Sequence, residues 1–558
     1  MKKAKGSLLL AIILILATFV SACSGKGEKS AGEKSSANVP QELRVLESVE
    51  IPSMDSIMAT DATSFTALNN VNEGLYGLDQ DNNIVPAVAD GDPEVSKDGK
   101  QFTVKLKKGL VWANGDPVTA ADFVYAWQRA IDPKNASTYG PYMMNGKITG
   151  AQEITDAASA KKPYDLNTLG AKAEDDTTLV VNTDAVMTAD FFKGLMAFGS
   201  FLPQNQKFVE EKGDKYASNA NNLLSNGPFK MKAWNGSSST EWVMVKNDKY
   251  RDAKKVHLNK ITVNVSKDSQ GSVNAFESGE ADITNKLSSD IVPQYKDDKR
   301  LVNWLDPRLT WLKFNEDNKI LANENIRRAL ATAFNKDDLA SEVLNNGSVA
   351  ANYAVPKDFV KDSDGKDFRA ANGDLLTYNA KKAKEYWKKG LQELGMTKVS
   401  LGLLGSDTDA SKKVDQYLKD QLEKNLEGLT INITNIPFAA RIDRETKQQY
   451  DIVDTGWAPD YLDPITYSDL FTTDSSNNQM SYSNKEYDAL IKQAESTTDS
   501  KEKWTALQKA EKILLEDDAA LAPVYQQAYN LLVSDKVKGF THHSVGTEYS
   551  YKYIEMTE

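Results

Sequence analysis

Cys23 is the only cysteine in a chain of 558 residues, and it follows an apolar run near the N-terminus. No disulfide can therefore brace what comes after it. A chain this long also exceeds what one hydrophobic core supports, so apolar burial divided over two or more lobes must hold the fold. The residues before the cysteine read differently. Lys2, Lys3 and Lys5 precede the run from Leu8 to Val20, which is shorter than the ~20 apolar residues of a membrane-spanning helix. A positive start, a short apolar stretch and then small residues make a secretory signal, which takes no part in the fold.

The run closes Val20-Ser21-Ala22-Cys23, which resembles a bacterial lipobox. That resemblance implies a signal peptide over 1–22, cleavage after Ala22 and lipidation of Cys23. The expected location is the extracellular face of the cytoplasmic membrane of a Gram-positive bacterium, with two or three acyl chains as a stable anchor. Residues 24–36 are all small or charged and cannot build a core, so 23–40 is expected to be a flexible spacer.

The formal charge of −12 becomes −15 once the three signal-peptide lysines are removed. An acidic surface excludes nucleic acid as a partner, because phosphates demand basic patches. His257, His542 and His543 are the only histidines. The adjacent pair is expected to be solvated or structural, since no cysteine or carboxylate cluster accompanies it, and no metal or cofactor is expected. Nine Trp and 22 Tyr suit a ligand cleft with apolar walls and polar tips, and equally a large ordinary core.

Strand-like alternation occurs at 42–47 and 101–107, the latter turning at Lys108-Gly109. A helix is expected over 119–131, with Thr119 as N-cap, Asp122 at its third position and Asp132-Pro133 as the stop. Further strands are expected at 179–181, 242–245, 261–265 and 429–433. Helices are expected over 324–334, 337–345, 380–394, 411–425 and 501–516. Interleaved strands and helices without internal repeats give an α/β or α+β class with mixed sheets.

No nucleophile elbow, zinc-protease helix or phosphate-binding loop occurs. Ser500-Lys501-Glu502-Lys503 has the Ser-x-x-Lys form of serine enzymes, but Ser500 at a charged helix start reads as an N-cap. Asp362-Ser363-Asp364-Gly365-Lys366-Asp367 begins like a calcium loop and lacks the closing Glu, since Gly373 holds that position; a turn is expected. The chain reads as a binder, not an enzyme.

Residues 86–112, PAVADGDPEVSKDGKQFTVKLKKGLVW, continue through 133 as ANGDPVTAADFVYAWQRAIDP. With Ser225-Asn226-Gly227-Pro228-Phe229, Asn325-Ile326-Arg327-Arg328-Ala329-Leu330, Thr455-Gly456-Trp457-Ala458-Pro459-Asp460-Tyr461 and Ala522-Pro523-Val524-Tyr525, they strongly resemble the oligopeptide-binding proteins of ABC importers. The resemblance covers essentially everything after the spacer. It implies a two-lobed periplasmic-binding-protein-like clamp with an extra third domain, its mixed sheets flanked by helices. Lobe I would be 42–72, 203–309 and 532–558, the small extra domain 73–202, and lobe II 310–531.

The resemblance also implies how a ligand is held. A sequence-tolerant peptide receptor grips backbone and ammonium and leaves room for side chains, which strand addition achieves. The two edges would fall at Asp61-Ala62-Thr63 and Gly456-Trp457-Ala458, with Gly456 allowing close backbone approach and Trp457 as an apolar wall. Asp460 matches the residue that pairs with the ligand ammonium. Tyr142 carries over as a polar aromatic contact, and Trp311 is either a cleft aromatic or core. Where some relatives hold a carboxylate with a basic residue, this chain has Asp454, which is expected to repel one. Oligopeptides and the permease subunits of an importer would be the partners of a monomeric chain. Other solutes in such a fold include an oligosaccharide, a nickel complex or haem, and signalling (pheromone) peptides are a further possibility.

Overall fold

The computed structural model describes residues 39–362, 365–436, 438–473, 475 and 477–558. The signal, Cys23 and nearly all of the spacer lie outside the described residues, as do Ser363 and Asp364 of the calcium-like stretch. Three larger sheets carry the architecture. In the first, Glu42–Glu47 pairs parallel with Lys260–Val265, and Glu241–Lys246 and Phe229–Ala233 follow antiparallel. The alternation of 42–47 explains its placement, since Leu43 and Val45 face the core while Leu46 and Glu47 are half-buried.

The second sheet is antiparallel and runs Glu94–Val95, Gln101–Lys105, Thr178–Asn182, Ala171–Asp175. Helix Ala120–Ile131 packs against it, with Phe123 and Trp127 fully buried and Trp127 Nε1 donating to Phe201 O at 3.1 Å. Thr119 and Asp122 form the expected capping box. The buried Asp122 carboxylate also accepts from Trp112 Nε1 at 3.2 Å, so the cap ties the helix to the strand-turn before it. A cap of this kind is worth about 1 kcal/mol.

The third sheet has six strands in the order Val349–Ala350, Leu521–Leu532, Leu301–Phe314, Ile452–Trp457, Val399–Ser406, Leu429–Ile436. Pairing is antiparallel up to Ile452–Trp457, and Val399–Ser406 then pairs parallel with both of its neighbours. The fold is thus mixed α/β, with sheets flanked by helices. Leu301–Phe314 and Leu521–Leu532, the longest strands, have two register breaks, the wider one between Leu305 and Leu309 at Asp306-Pro307-Arg308 and the other between Thr310 and Trp311. Proline cannot donate to a ladder and is tolerated where pairing lapses.

Local differences from expectation have local causes. The region expected as a regular helix over 337–345 is one α-turn at Lys336–Asp338 followed by a π-turn at Leu339–Leu344, ending in left-handed Asn345. Helix Ser500–Lys512 is capped by Asp499, not Ser500; the Asp499 carboxylate accepts from Lys501 N and Glu502 N, both at 2.9 Å. Both bonds go to Oδ1, and the extended backbone at Asp499 puts that residue, not Ser500, at the N-cap position.

The last residues return to the first helix, Ala62–Val71. Asn70 Nδ2 donates to Tyr549 O at 2.8 Å, Tyr551 N donates to Asn70 Oδ1 at 2.9 Å, and Glu548 N donates to Thr66 Oγ1 at 2.9 Å. Gln41 and Met556 exchange two further hydrogen bonds, so the two ends of the described chain are stitched together.

Candidate ligand-binding cleft

A cavity of about 570 Å³ lies where many stretches of chain meet. Its main walls are the start of helix Ala62–Val71, strand Leu301–Phe314, helix Phe438–Thr446, the end of strand Ile452–Trp457 with its extension to Asp460, and loop 543–548, with Tyr139, Phe198 and Tyr529 among the residues that close the rest. That volume is within the ~300–1,000 Å³ usual for ligand pockets.

Asp460 is 8% exposed and lines the cavity. Burial pushes its carboxyl up to about 6, against the hydrogen bond from Tyr142 and the charge of Lys147, which favour the anion. The Tyr142 hydroxyl donates to Asp460 Oδ2 at 2.5 Å. Tyr142 itself does not line the main cavity, so it acts on a ligand through Asp460.

Gly456, Trp457 and Ala458 all line the cavity. Strand Ile452–Trp457 pairs with Leu301–Phe314 along its whole length, but Val399–Ser406 covers only Ile452 and Val453 on the other side. Residues 454–457 therefore present an edge that no strand occupies. Gly456 is required for a reason internal to the sheet: a Cβ there would stand 2.2 Å from Leu309 O. Trp457 is half-buried and its Nε1 is buried without an acceptor. Trp311 is both core and wall: it is 1% exposed, packs edge-on to Phe471 at 5.6 Å, and still borders the cavity with an unpartnered Nε1.

The Asp61-Ala62-Thr63 stretch is not an extended edge. Asp61 caps helix Ala62–Val71, its Oδ1 accepting from Ser64 N at 2.8 Å, so Ala62 and Thr63 open a helical turn. Asp61 and Ala62 line the cavity, and Asp61 Oδ2 is buried without a partner; Thr63 is buried and does not line it.

Asp454 does not line the cavity either. Side chains alternate along a strand, and Thr455 and Trp457 take the cavity side, which turns Asp454 the other way. It is buried against Asp415 on helix Asp409–Asn425, whose Oδ2 accepts from Asn435 at 2.6 Å. Desolvation and mutual repulsion push the Asp454 carboxyl well up, and desolvation raises Asp415. The Oδ1 atoms of both lack other partners, so the pair holds a proton between them. The expected repulsion of a ligand carboxylate by Asp454 therefore does not operate.

Sequence reasoning missed several charged wall residues. Lys313 and Arg441 reach the cavity, and Glu445 joins them, at 3.1 Å and 2.7 Å. Arg308, at the register break, lines the cavity, and its guanidinium makes no ion pair among the described residues. His543 also borders the cavity, with Nδ1 at 3.0 Å from Asn82 Oδ1, and His542 stacks on Trp304 at 4.6 Å. Burial lowers both imidazoles to about 4, so the pair is structural and neutral, not solvated.

The sequence profile of the bacterial extracellular solute-binding proteins, family 5 (middle region), matches residues 83–479. The chain belongs to this family. A dipeptide-binding protein of Lactococcus lactis is 33% identical over 568 residues, 99% of each chain. The oligopeptide-binding protein OppA of Bacillus subtilis is 32% identical over 560 residues, 97% of this chain and 98% of its own. Among solved structures, Listeria monocytogenes OppA bound to peptide is 40% identical with a TM-score of 0.75, covering 93% of this chain and 99% of the other. The pheromone receptor PrgZ is 36% identical with a TM-score of 0.76, covering 93% and 100%. No helix among the described residues of this family-5 chain is long and apolar enough to cross a membrane.

Proposed function

We infer that this chain captures oligopeptides in the 570 Å³ cleft and hands them to an ABC-type importer, without chemical turnover. The observation that carries this reading is Asp460, a buried carboxylate at the end of a strand edge left open to the cavity. The ligand backbone pairs along 455–458 beside Trp457, and its ammonium meets Asp460. A buried ammonium without a charged partner would cost several kcal/mol, and Asp460 supplies that partner. Asp61, Ala62 and Trp311 complete the contacts, Tyr142 acts through Asp460, and Thr63 serves the fold. Ligand length is not limited at position 454.

In the same reading the molecule is a monomeric clamp, with lobe I at 42–72, 203–309 and 532–558, the small domain at 73–202, and lobe II at 310–531. The paired strands Leu301–Phe314 and Leu521–Leu532 pass between the lobes, and the register break at 306–308 is the natural place for a hinge. Lipidated Cys23 holds the clamp beside its permease and raises its effective concentration there. The likeness to PrgZ favours a second reading, in which the cargo is a signalling peptide.

Native mass spectrometry of the purified chain, followed by denaturation and sequencing of the released ligand, tests the proposal. Co-purified peptides that disappear in Asp460→Ala support it. A sugar, haem or metal complex in their place overturns it.

A further inference from the structure

Phe191 and Phe192 are neighbours on helix Ala189–Met196 and meet different partners. Phe192 is buried and stacks on Phe102 of the second sheet, with ring centroids 4.1 Å apart and planes 3° apart. That stack fixes the helix and leaves Phe191 half-buried. The Phe191 ring stands at 89° to that of Tyr461, with centroids 5.2 Å apart, and Lys503 Nζ lies over it, 4.6 Å from its centroid. None of these three residues lines the peptide cleft.

The lysine is held in place independently of the ring. Lys503 Nζ donates to Asp463 Oδ2 at 2.6 Å, and Asp463 Oδ1 accepts from Ile465 N at 3.0 Å. Lys503 belongs to the Ser-x-x-Lys stretch and is only 6% exposed, so the ring meets an ammonium with little water around it. A cation over an aromatic face gains most when it is desolvated. A second contact joins the same two regions: a Cβ on Gly99 would stand 3.3 Å from Thr498 Cγ2.

On the reading of the chain as a two-lobed clamp, these contacts cross its mouth. Residues 73–202 begin and end on lobe I and have no covalent connection to 310–531. Arg129 pairs with Asp55 at 3.1 Å and Arg251 with Glu73 at 2.9 Å, so the small domain is riveted to lobe I and moves with it. Opening at 306–308 would pull Phe191 off Lys503 and leave the Asp463–Lys503 pair intact. We propose that Phe191 is a latch: its ring docks on Tyr461 and the preplaced Lys503 ammonium, and that contact holds the clamp closed over its cargo. The Tyr142–Asp460 hydrogen bond also crosses here, but it ends on the carboxylate that takes the ligand. Phe191 is a positioning residue that touches no peptide, so it favours closure equally for every sequence. The aromatic pair and the cation over the ring together should shift the closed-to-open ratio by at least about fivefold.

The test uses the mature-length chain and two hexapeptides of unrelated sequence, each with a free amine and a fluorescent label on its last side chain. Stopped-flow dissociation gives the release rate, and X-ray scattering with and without peptide gives the radius of gyration. Phe191→Leu keeps an apolar side chain and removes the ring; it should speed release of both peptides by the same factor, at least about fivefold. Phe191→Trp keeps an aromatic face and should release slowly. Lys503→Met should behave like Phe191→Leu, Lys503→Arg should not, and the double variant of Phe191→Leu with Lys503→Met should release little faster than either alone. Melting curves show which variants fold; if Phe191→Leu does not, the Lys503→Met and Lys503→Arg comparison decides. Unchanged release in folded variants, or a change confined to one peptide, overturns the latch and leaves the clamp standing, provided that peptide shrinks the unaltered chain. A radius indifferent to peptide overturns the clamp, and the latch with it.

Discussion

The Tyr142 hydroxyl donates to Oδ2 of Asp460 at 2.5 Å, joining residues 318 positions apart. The phenol holds the carboxylate in place before any ligand arrives and favours its ionised form. Asp460→Asn keeps the shape and removes the charge. Truncating one partner of a buried charge pair costs ~2–5 kcal/mol, so free-amine peptides should bind at least ~30-fold more weakly, with acetylated peptides little changed. Calorimetry with both ligand forms reads the difference. Tyr142→Phe should have a smaller effect, of about tenfold, by loss of one hydrogen bond to a charged group worth ~1.5 kcal/mol.

Because the Asp460 carboxyl is raised to about 6, only its ionised fraction accepts an ammonium. Apparent affinity falls in proportion to that fraction, so binding should weaken about tenfold between pH 7 and pH 5. Above about pH 8 the ligand amine itself loses its proton. The affinity profile should peak between roughly 6 and 8, and fluorescence titration across that range would reveal a flat profile if Asp460 is not the partner.

Gly456→Ala places a methyl 2.2 Å from Leu309 O, in the middle of a paired ladder. The strands must part or shift, at about 1–3 kcal/mol. Thermal unfolding should show a lowered midpoint, together with weaker peptide binding because the open edge moves.

The Asp415–Asp454 pair has carboxyls raised by burial, so the folded chain holds a proton that the unfolded chain releases near pH 4. Folded-state stability from this pair is therefore greatest below the unfolded value and is lost as pH rises toward the folded one. The slope reaches about 1.4 kcal/mol per pH unit while one proton separates the states. Asp454→Asn needs no shared proton. Its melting temperature should gain on the unaltered chain as pH goes from 5 to 8, and a constant gap would refute the shared proton.

Cys23→Ser removes the only acceptor for a thioether-linked lipid. The variant should appear in the culture medium and lose radiolabelled palmitate, while its purified form binds peptide as before.

Elements with a local cause were legible in the sequence. Strand 42–47 alternates, and helix Ala120–Ile131 announces both its cap and its stop. The two longest strands were not, because in the middle of Leu521–Leu532 the polar Gln526 and Asn530 take the buried side while Tyr525 and Tyr529 are half-buried, which hides the alternation, and Asp306-Pro307-Arg308 interrupts its partner. The cleft followed the same division. Asp460 and Trp457 were found through a motif that resembles relatives. Asp454 was misassigned because one step along a strand reverses the direction of a side chain. Arg308, Lys313 and Arg441 carry no local signal, since it is the pairing of distant strands and a helix that brings them to one wall.

Residues 543–548 form one wall of the cleft, and Glu548 and the following Tyr549 are fastened to Thr66 and Asn70 of the first helix. That wall is therefore only as rigid as the helix behind it: a substitution at Thr66 or Asn70, neither of which lines the cleft, would loosen one of its sides from a distance.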